Sequence, residues 1–169
     1  MPRVRHVPVS KDNTGIHVKI VTVNRKANYD YQVFEEVEAG LVLQGTEIKS
    51  IREGRVSLQE AFARLQGDGL WLFNCHIAPY SSGNVQNHDP TRPRRLLLHQ
   101  VQIDELAGKS GQKGYTLIPL RLYFKGHLAK VTLGLCRGRR QYDKRQVMAR
   151  RQDEREIARA IKSSRHQDW

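Results

Sequence analysis

The sequence predicts a mostly β protein, with about six strands closed into a small antiparallel barrel, two or three short helices at its ends and a basic C-terminal tail. Three observations lead there. Apolar residues recur at even spacing between Tyr29 and Leu43, as they do along a half-buried strand. Two glycine-centred turns, Gly67-Asp68-Gly69 and Lys125-Gly126-His127, each sit between strand-like runs. From Arg137 onward large hydrophobic residues nearly vanish and charge takes over. Closure of the sheet is favoured because it leaves no exposed strand edge.

Composition divides the 169 residues into three parts. Residues 1–18 are polar and interrupted by Pro2, Pro8 and Gly15, which reads as a flexible arm. Residues 19–136 hold the core, expected to be the barrel domain. Residues 137–169 form the tail. The N-terminal residues are basic with no apolar run behind them, so no secretory leader is expected.

Within the core, Tyr31, Val33, Val37, Leu41 and Leu43 predict a strand pair or one long bent strand, with Gly40 as its bulge. A short helix follows at Gly45-Thr46-Glu47, with Thr46 as cap, Lys49 and Arg52 at its negative end and Gly54 as its stop. Ser57-Leu58-Gln59-Glu60 resembles a capping box, so one turn of helix is expected before the hairpin around Gly67. Residues 79–95, with Pro79, Gly83, Pro90 and Pro93, read as a long loop. A helix through Val101, Ile103, Leu106 and Ala107 ends near Gly108, and strands Tyr115–Phe124 and Leu128–Leu135 complete the core.

The net charge of +12 and isoelectric point near 10.1 point to a polyanionic partner. Residues 137–169 carry 11 Lys and Arg against 5 Asp and Glu, half of the whole excess. On a helical wheel Lys144, Arg151, Arg155, Arg159 and Lys162 fall in one narrow sector, a stripe able to follow a phosphate backbone for about five turns. The apolar side is too thin for a helix that lies in a membrane surface. Such a segment is expected to be disordered alone and to fold against a charged surface. The bland alternative is a solvated tail that only confers solubility. Ahead of the stripe, Tyr142 stands among Gly138, Arg139, Arg140, Asp143, Lys144 and Arg145, the mixture that base stacking with phosphate neutralisation requires. Two further basic clusters, Asn24-Arg25-Lys26-Ala27 and Asp89 to Arg95, add to the nucleic-acid reading.

Other chemistries find little support. Cys75 and Cys136 are far apart and no CxxC pair exists, so each is expected to be a small buried hydrophobe in a cytoplasmic protein. No cofactor or metal is expected. His76, Glu47 and His88-Asp89 are the candidate acid–base groups, yet sequence neighbours on a strand point to opposite faces. No nucleotide-binding or hydrolase motif accompanies them, and an enzyme is not expected.

Several of these residues, in order and spacing, resemble the small protein B (SsrA-binding protein) family. They are Asn24-Arg25-Lys26-Ala27, Glu38-Ala39-Gly40-Leu41, Gly45 to Arg52 with Gly54, and His76-Ile77-Ala78-Pro79-Tyr80. Asn87-His88-Asp89-Pro90, Arg92 with Arg94 to Leu98, Gly114-Tyr115-Thr116 and Tyr142-Asp143-Lys144-Arg145 continue the pattern. The resemblance covers about residue 20 to the end of the tail. It implies an oligonucleotide-binding-like barrel of six antiparallel strands that binds the tRNA-like domain of tmRNA and delivers it to stalled ribosomes in trans-translation. It further implies tmRNA contacts at Asn24, Glu38 and Leu97, to which the clusters add Arg25, Lys26, Arg94 and Arg95. Tyr142 and Asp143-Lys144-Arg145 match the family's tail motif. The tail would occupy the small-subunit decoding centre and the empty mRNA channel. Elongation factor Tu would enter indirectly, through aminoacylated tmRNA. Gln146, Cys136 and Trp169 depart from the family pattern. A carboxylate repels phosphate, so Glu38 is expected to orient a neighbouring cation or to accept from a base or ribose. Competing readings are a ribosomal or initiation-factor-like barrel and a small RNA-processing nuclease.

Overall fold

The computed structural model describes residues 9–11, 17–81, 87–111 and 114–139, together with positions 148, 152, 153, 156 and 157. Ten strands and three short helices run through the core in the order β1 (Val9–Lys11), β2 (His17–Val23), α1 (Arg25–Asp30), β3 (Tyr31–Leu41), α2 (Gly45–Arg52), β4 (Val56–Ser57), β5 (Phe62–Gln66), β6 (Gly69–Phe73), β7 (His76–Ile77), β8 (Arg94–Leu97), α3 (Gln100–Ser110), β9 (Tyr115–Lys125) and β10 (Leu128–Gly138).

Pairing is antiparallel throughout. Strands β9, β10, β3, β8, β6 and β5 neighbour one another in that order, and β5 returns to β9 through Ala63 and Leu117. Six strands therefore form a ring of pairings. Strands β2 and β1 extend the sheet outward from β9, and β4 with β7 make a separate small ribbon. Leu70, Leu72, Leu96, Leu117, Leu122 and Leu133, each at most 2% exposed, fill the inside of the ring. Leu106 brings α3 onto the same cluster. Ala27, Ile118, Leu120 and Cys136 form a second apolar cluster beneath α1.

The hairpins follow the turn chemistry. Gly67 (φ +62°) joins β5 to β6 and Gly126 (φ +59°) joins β9 to β10, both in a region where a side chain is strained. Strand β3 is one continuous strand, and its bulge falls at Phe34 rather than Gly40. Leu135 faces Glu35 while Cys136 faces Val33, so Phe34 is passed over. Gly40 instead keeps its register with Lys130 on one side and Leu97 on the other.

Five further expectations change. Helix α2 is capped by Gln44, whose backbone N–H donates to Glu47 Oε2 at 2.7 Å, and Thr46 lies inside the first turn with its hydroxyl turned to His88. Residues 57–65 hold no helical turn. The helical spacing of Leu58, Ala61 and Phe62 arises from a tight turn in which Ala61 N donates to Leu58 O at 3.1 Å. The loop after Pro79 ends earlier than expected because Arg94–Leu97 pairs as a strand. Finally, Val9–Lys11, within the supposed arm, pairs with His17–Lys19. The last strand also runs two residues past Cys136, to Gly138.

Candidate nucleic-acid interface

Strand alternation puts one set of side chains on the outer face of β3, β10 and β9. Glu38 on β3 faces Thr132 on β10, which faces Arg121 on β9, and the next row sets Lys130 against Tyr123. Glu38 is tied at both oxygens: Oε2 accepts from the Tyr123 hydroxyl and Oε1 lies 3.1 Å from Lys130 Nζ. Burial pushes the Glu38 carboxyl up, but the Tyr123 hydroxyl and Lys130 ammonium outweigh it and hold the group below its ordinary range. Burial, reinforced by the Glu38 charge, pushes the Tyr123 phenol up to about 12. Tyr123 therefore stays a donor and Glu38 an acceptor at neutral pH. Arg121 completes the row, with Nη2 2.6 Å from Glu36 Oε2 and Nε donating to Thr132 Oγ1 at 3.1 Å.

Leu97 joins this face from β8. It is 54% exposed and lies over Gly40, where an added Cβ would come within 3.2 Å of the Leu97 Cβ. Gly40 thus lets a bulky apolar side chain rest next to the Glu38–Lys130 pair. An exposed leucine among charges leaves a small apolar surface within an otherwise polar face.

A second group stands where β2 enters α1. Asn24 is buried and saturated: Nδ2 donates to Leu58 O at 2.9 Å and to Pro119 O at 3.1 Å, while Oδ1 accepts from Ala27 N at 3.0 Å. It acts as a clamp, fixing α1 against β9 and the turn after β4. Arg25 and Lys26 are held exposed beside it, and Lys26 pairs with Glu60.

Two of the three arginines between Asp89 and Arg95 are drawn in to Glu47, which corrects the reading of this segment as a basic cluster open to RNA. Arg94 is 0% exposed. Its Nε donates to Glu47 Oε1 at 2.8 Å, Nη1 to Cys75 O at 2.5 Å and Arg92 O at 3.1 Å, and Nη2 to Pro90 O at 3.1 Å. Such a side chain has no surface to offer RNA, because strand alternation sends it inside and Arg95 outside. Arg92 also bonds Glu47, through Nε at 2.9 Å and Nη2 at 2.5 Å. Burial raises the Glu47 carboxyl, yet Arg92, the Gln44 N–H and Arg94 together hold it below its ordinary range. Of the proposed contacts in this cluster only Arg95 reaches solvent, with Asp68 3.9 Å away.

Of the acid–base candidates, Glu47, His88 and Asp89 are likewise engaged in structure, and His76 is exposed on β7. His88 is buried, with Nδ1 3.0 Å from Thr46 Oγ1 and Nε2 3.0 Å from Ile77 O, so it joins the loop to α2 and β7. Asp89 accepts from Thr91 instead of pairing with His88. Cys75 and Cys136 are free and buried, and burial pushes each thiol up to about 11. Among the described residues no group of His, Cys, Asp and Glu is arranged to hold a metal. No described helix is long and apolar enough to cross a membrane.

A family model described as SmpB protein matches residues 21–163, most of the chain. The chain belongs to the SmpB family. The SsrA-binding protein of Carboxydothermus hydrogenoformans is 54% identical over 145 residues, covering 86% of this chain and 97% of the relative. That of Enterococcus faecalis is 51% identical over 147 residues, covering 87% and 96%. A solved structure described as "tmRNA-SmpB: a journey to the center of the bacterial ribosome" superposes with a TM-score of 0.63 at 45% identity, covering 76% of this chain and 94% of that one.

The SmpB match takes in Asn24, Glu38 and Leu97, and the structure brings the last two together on one face. Sequence reasoning passed over Tyr123 and Lys130. Counting outward from the turn at Gly126 pairs Lys125 with Leu128, and hence Tyr123 with Lys130, so the hairpin register was the signal that could have found them. Of the tail positions, Gly138 is exposed, and Arg139 is tethered by its Nε to Tyr31 O at 2.9 Å. Arg140, Tyr142, Asp143, Lys144, Arg145, Arg151, Arg155, Arg159 and Lys162 lie outside the described residues. Met148, Gln152, Asp153, Glu156 and Ile157 are helical and exposed.

Proposed function

We propose that this chain binds the tRNA-like domain of tmRNA and delivers it to stalled ribosomes for trans-translation. The observation that carries the reading is the meeting of Glu38, Lys130, Tyr123 and exposed Leu97 on one face, in a chain whose SmpB match spans both the core and the tail. The six-strand ring is read as a closed oligonucleotide-binding-like barrel whose outer face, with Arg25, Lys26 and Arg95, receives the RNA. Asn24 and Glu38 contribute as positioning residues, since their own polar atoms are engaged within the protein.

The basic tail, 137–169, is assigned to the ribosome. A helix with one basic face would enter an mRNA channel lined by ribosomal RNA only when message is absent, which makes the empty channel the recognised feature. Elongation factor Tu meets this assembly indirectly, through aminoacylated tmRNA.

Gel-shift titration of the full chain with the tRNA-like domain, against an unrelated hairpin RNA of equal length, tests the reading. Leu97→Ala and Arg95→Ala should each weaken the tRNA-like complex while circular dichroism is unchanged. Equal affinity for both RNAs in the unaltered chain would reduce the protein to a non-specific polycation.

A further inference from the structure

We propose that a cavity beside α1 takes one unstacked guanine base of the bound RNA, read by the Lys26–Glu60 pair. This inference rests on the RNA-binding reading above. The cavity measures about 420 Å³. Ala27, Phe62 and Ile118 give it an apolar floor, part of the second core cluster, and Phe62 is held flat by stacking on Phe73 with centroids 5.5 Å apart. Lys26, Glu60, Asn74 and Thr116 supply a polar rim. A planar heterocycle with a hydrogen-bonding edge suits an apolar floor under a polar rim.

Two observations single out this cavity. Among the described non-glycine residues only Glu60 (φ +73°) and Asn74 (φ +55°) adopt the left-handed region, and both line it. Asparagine tolerates that conformation, whereas glutamate rarely does, and strained side-chain-bearing residues gather at binding sites. Secondly, Glu60 is a largely exposed carboxylate, 70% accessible, beside the basic Arg25 and Lys26. At that place it would repel phosphate. It is suited to a base that offers donors.

Guanine alone presents two adjacent donors on its Watson–Crick edge, N1–H and the 2-amino group, next to the O6 acceptor. A carboxylate accepts both donors, and an ammonium beside it donates to O6. The Lys26–Glu60 pair therefore offers the donor and acceptors that cytosine offers in a base pair. Adenine, cytosine and uracil each set at most one donor on that edge.

Kethoxal, which modifies unpaired guanine at N1 and the 2-amino group, provides the test on the full chain bound to the tRNA-like domain of tmRNA. One unpaired guanine should be protected by the unaltered protein and reactive again under saturating Glu60→Gln. Glu60→Gly is the companion variant, because glycine accepts the positive φ without strain and a loss cannot be blamed on the turn. Both should bind at least fivefold more weakly. Were Glu60 only a surface partner of Lys26, removing its negative charge would leave affinity unchanged or raise it, and that result overturns the proposal. Inosine at the protected guanine, which lacks the 2-amino group, should weaken the unaltered protein and leave Glu60→Gln unaffected. RNA binding with no Glu60-dependent protection removes the cavity site alone. Failure to bind the tRNA-like RNA at all removes the functional reading with it.

Discussion

Arg94 and Arg95 differ by one position on β8, and strand geometry sends one guanidinium to the core and the other to solvent. Their substitutions should separate accordingly. Arg94→Ala leaves Glu47 with one cationic partner fewer in a buried site and should cost about 3–5 kcal/mol of stability, read as a lower urea midpoint. Arg95→Ala should leave that midpoint alone and weaken RNA binding. The Glu47 carboxyl is held below its ordinary value of 4.5 in the folded chain. Its contribution is therefore complete above about pH 4.5 and is lost as pH falls through the lower folded value. Urea unfolding at pH 7 and pH 3.5 should show a drop in the unaltered protein that is smaller in Glu47→Gln. An equal drop in both would place the acid sensitivity elsewhere. In the tail, if Tyr142 stacks on a ribosomal base, Tyr142→Ala should cost roughly 1–3 kcal/mol of that contact, with Tyr142→Phe milder.

At the scale of elements, β10 shows how closely neighbouring strands pack. A Cβ on Gly134 would meet Leu120 Cδ1 at 2.9 Å and Cys136 Sγ at 3.0 Å, against side chains buried in the second apolar cluster. Gly134→Ala should destabilise the fold by about 1–3 kcal/mol through overpacking, seen as a lower melting temperature. Gly40→Ala meets only the more exposed Leu97 and should disturb RNA binding more than stability. Much at this scale was legible in the residues themselves: both hairpins, α2 with its acidic start and basic end, and the even spacing of β3. Three parts were not. Strand β8 was hidden because two of its four residues are arginines, and a buried arginine becomes intelligible only once Glu47, distant in sequence, is placed beside it. Helix α1 is six residues long and depends on the Asn24 clamp to Leu58 and Pro119. The false helical turn at Leu58–Phe62 shows the reverse error, where a tight turn imitates helical spacing.

For the whole molecule, the account divides labour between a core that holds RNA and a tail that works on the ribosome. Arg139 N donates to Asp30 O at 2.9 Å and its Nε to Tyr31 O, so the bonds of the core reach at least to Arg139, past Cys136. A chain ending there should fold and still bind the tRNA-like RNA. Affinity should fall steeply with salt, by roughly 0.7–0.9 in log–log slope per phosphate neutralised. Replacing Arg25, Lys26 and Arg95 together should flatten that slope; Arg94 is left in place because it supports the fold. The membership of the family and the basic composition of the tail were readable in the sequence. The cavity beside α1 was not, since its rim is assembled from α1, the turn after β4, the residue that follows β6, and β9. The most direct measurement scrambles residues 140–169 at constant composition and compares tmRNA binding with tagging of nascent chains on stalled ribosomes in a reconstituted system. The account predicts binding near that of the unaltered chain and tagging abolished. Full tagging by the scrambled chain, or loss of its RNA binding, would contradict it.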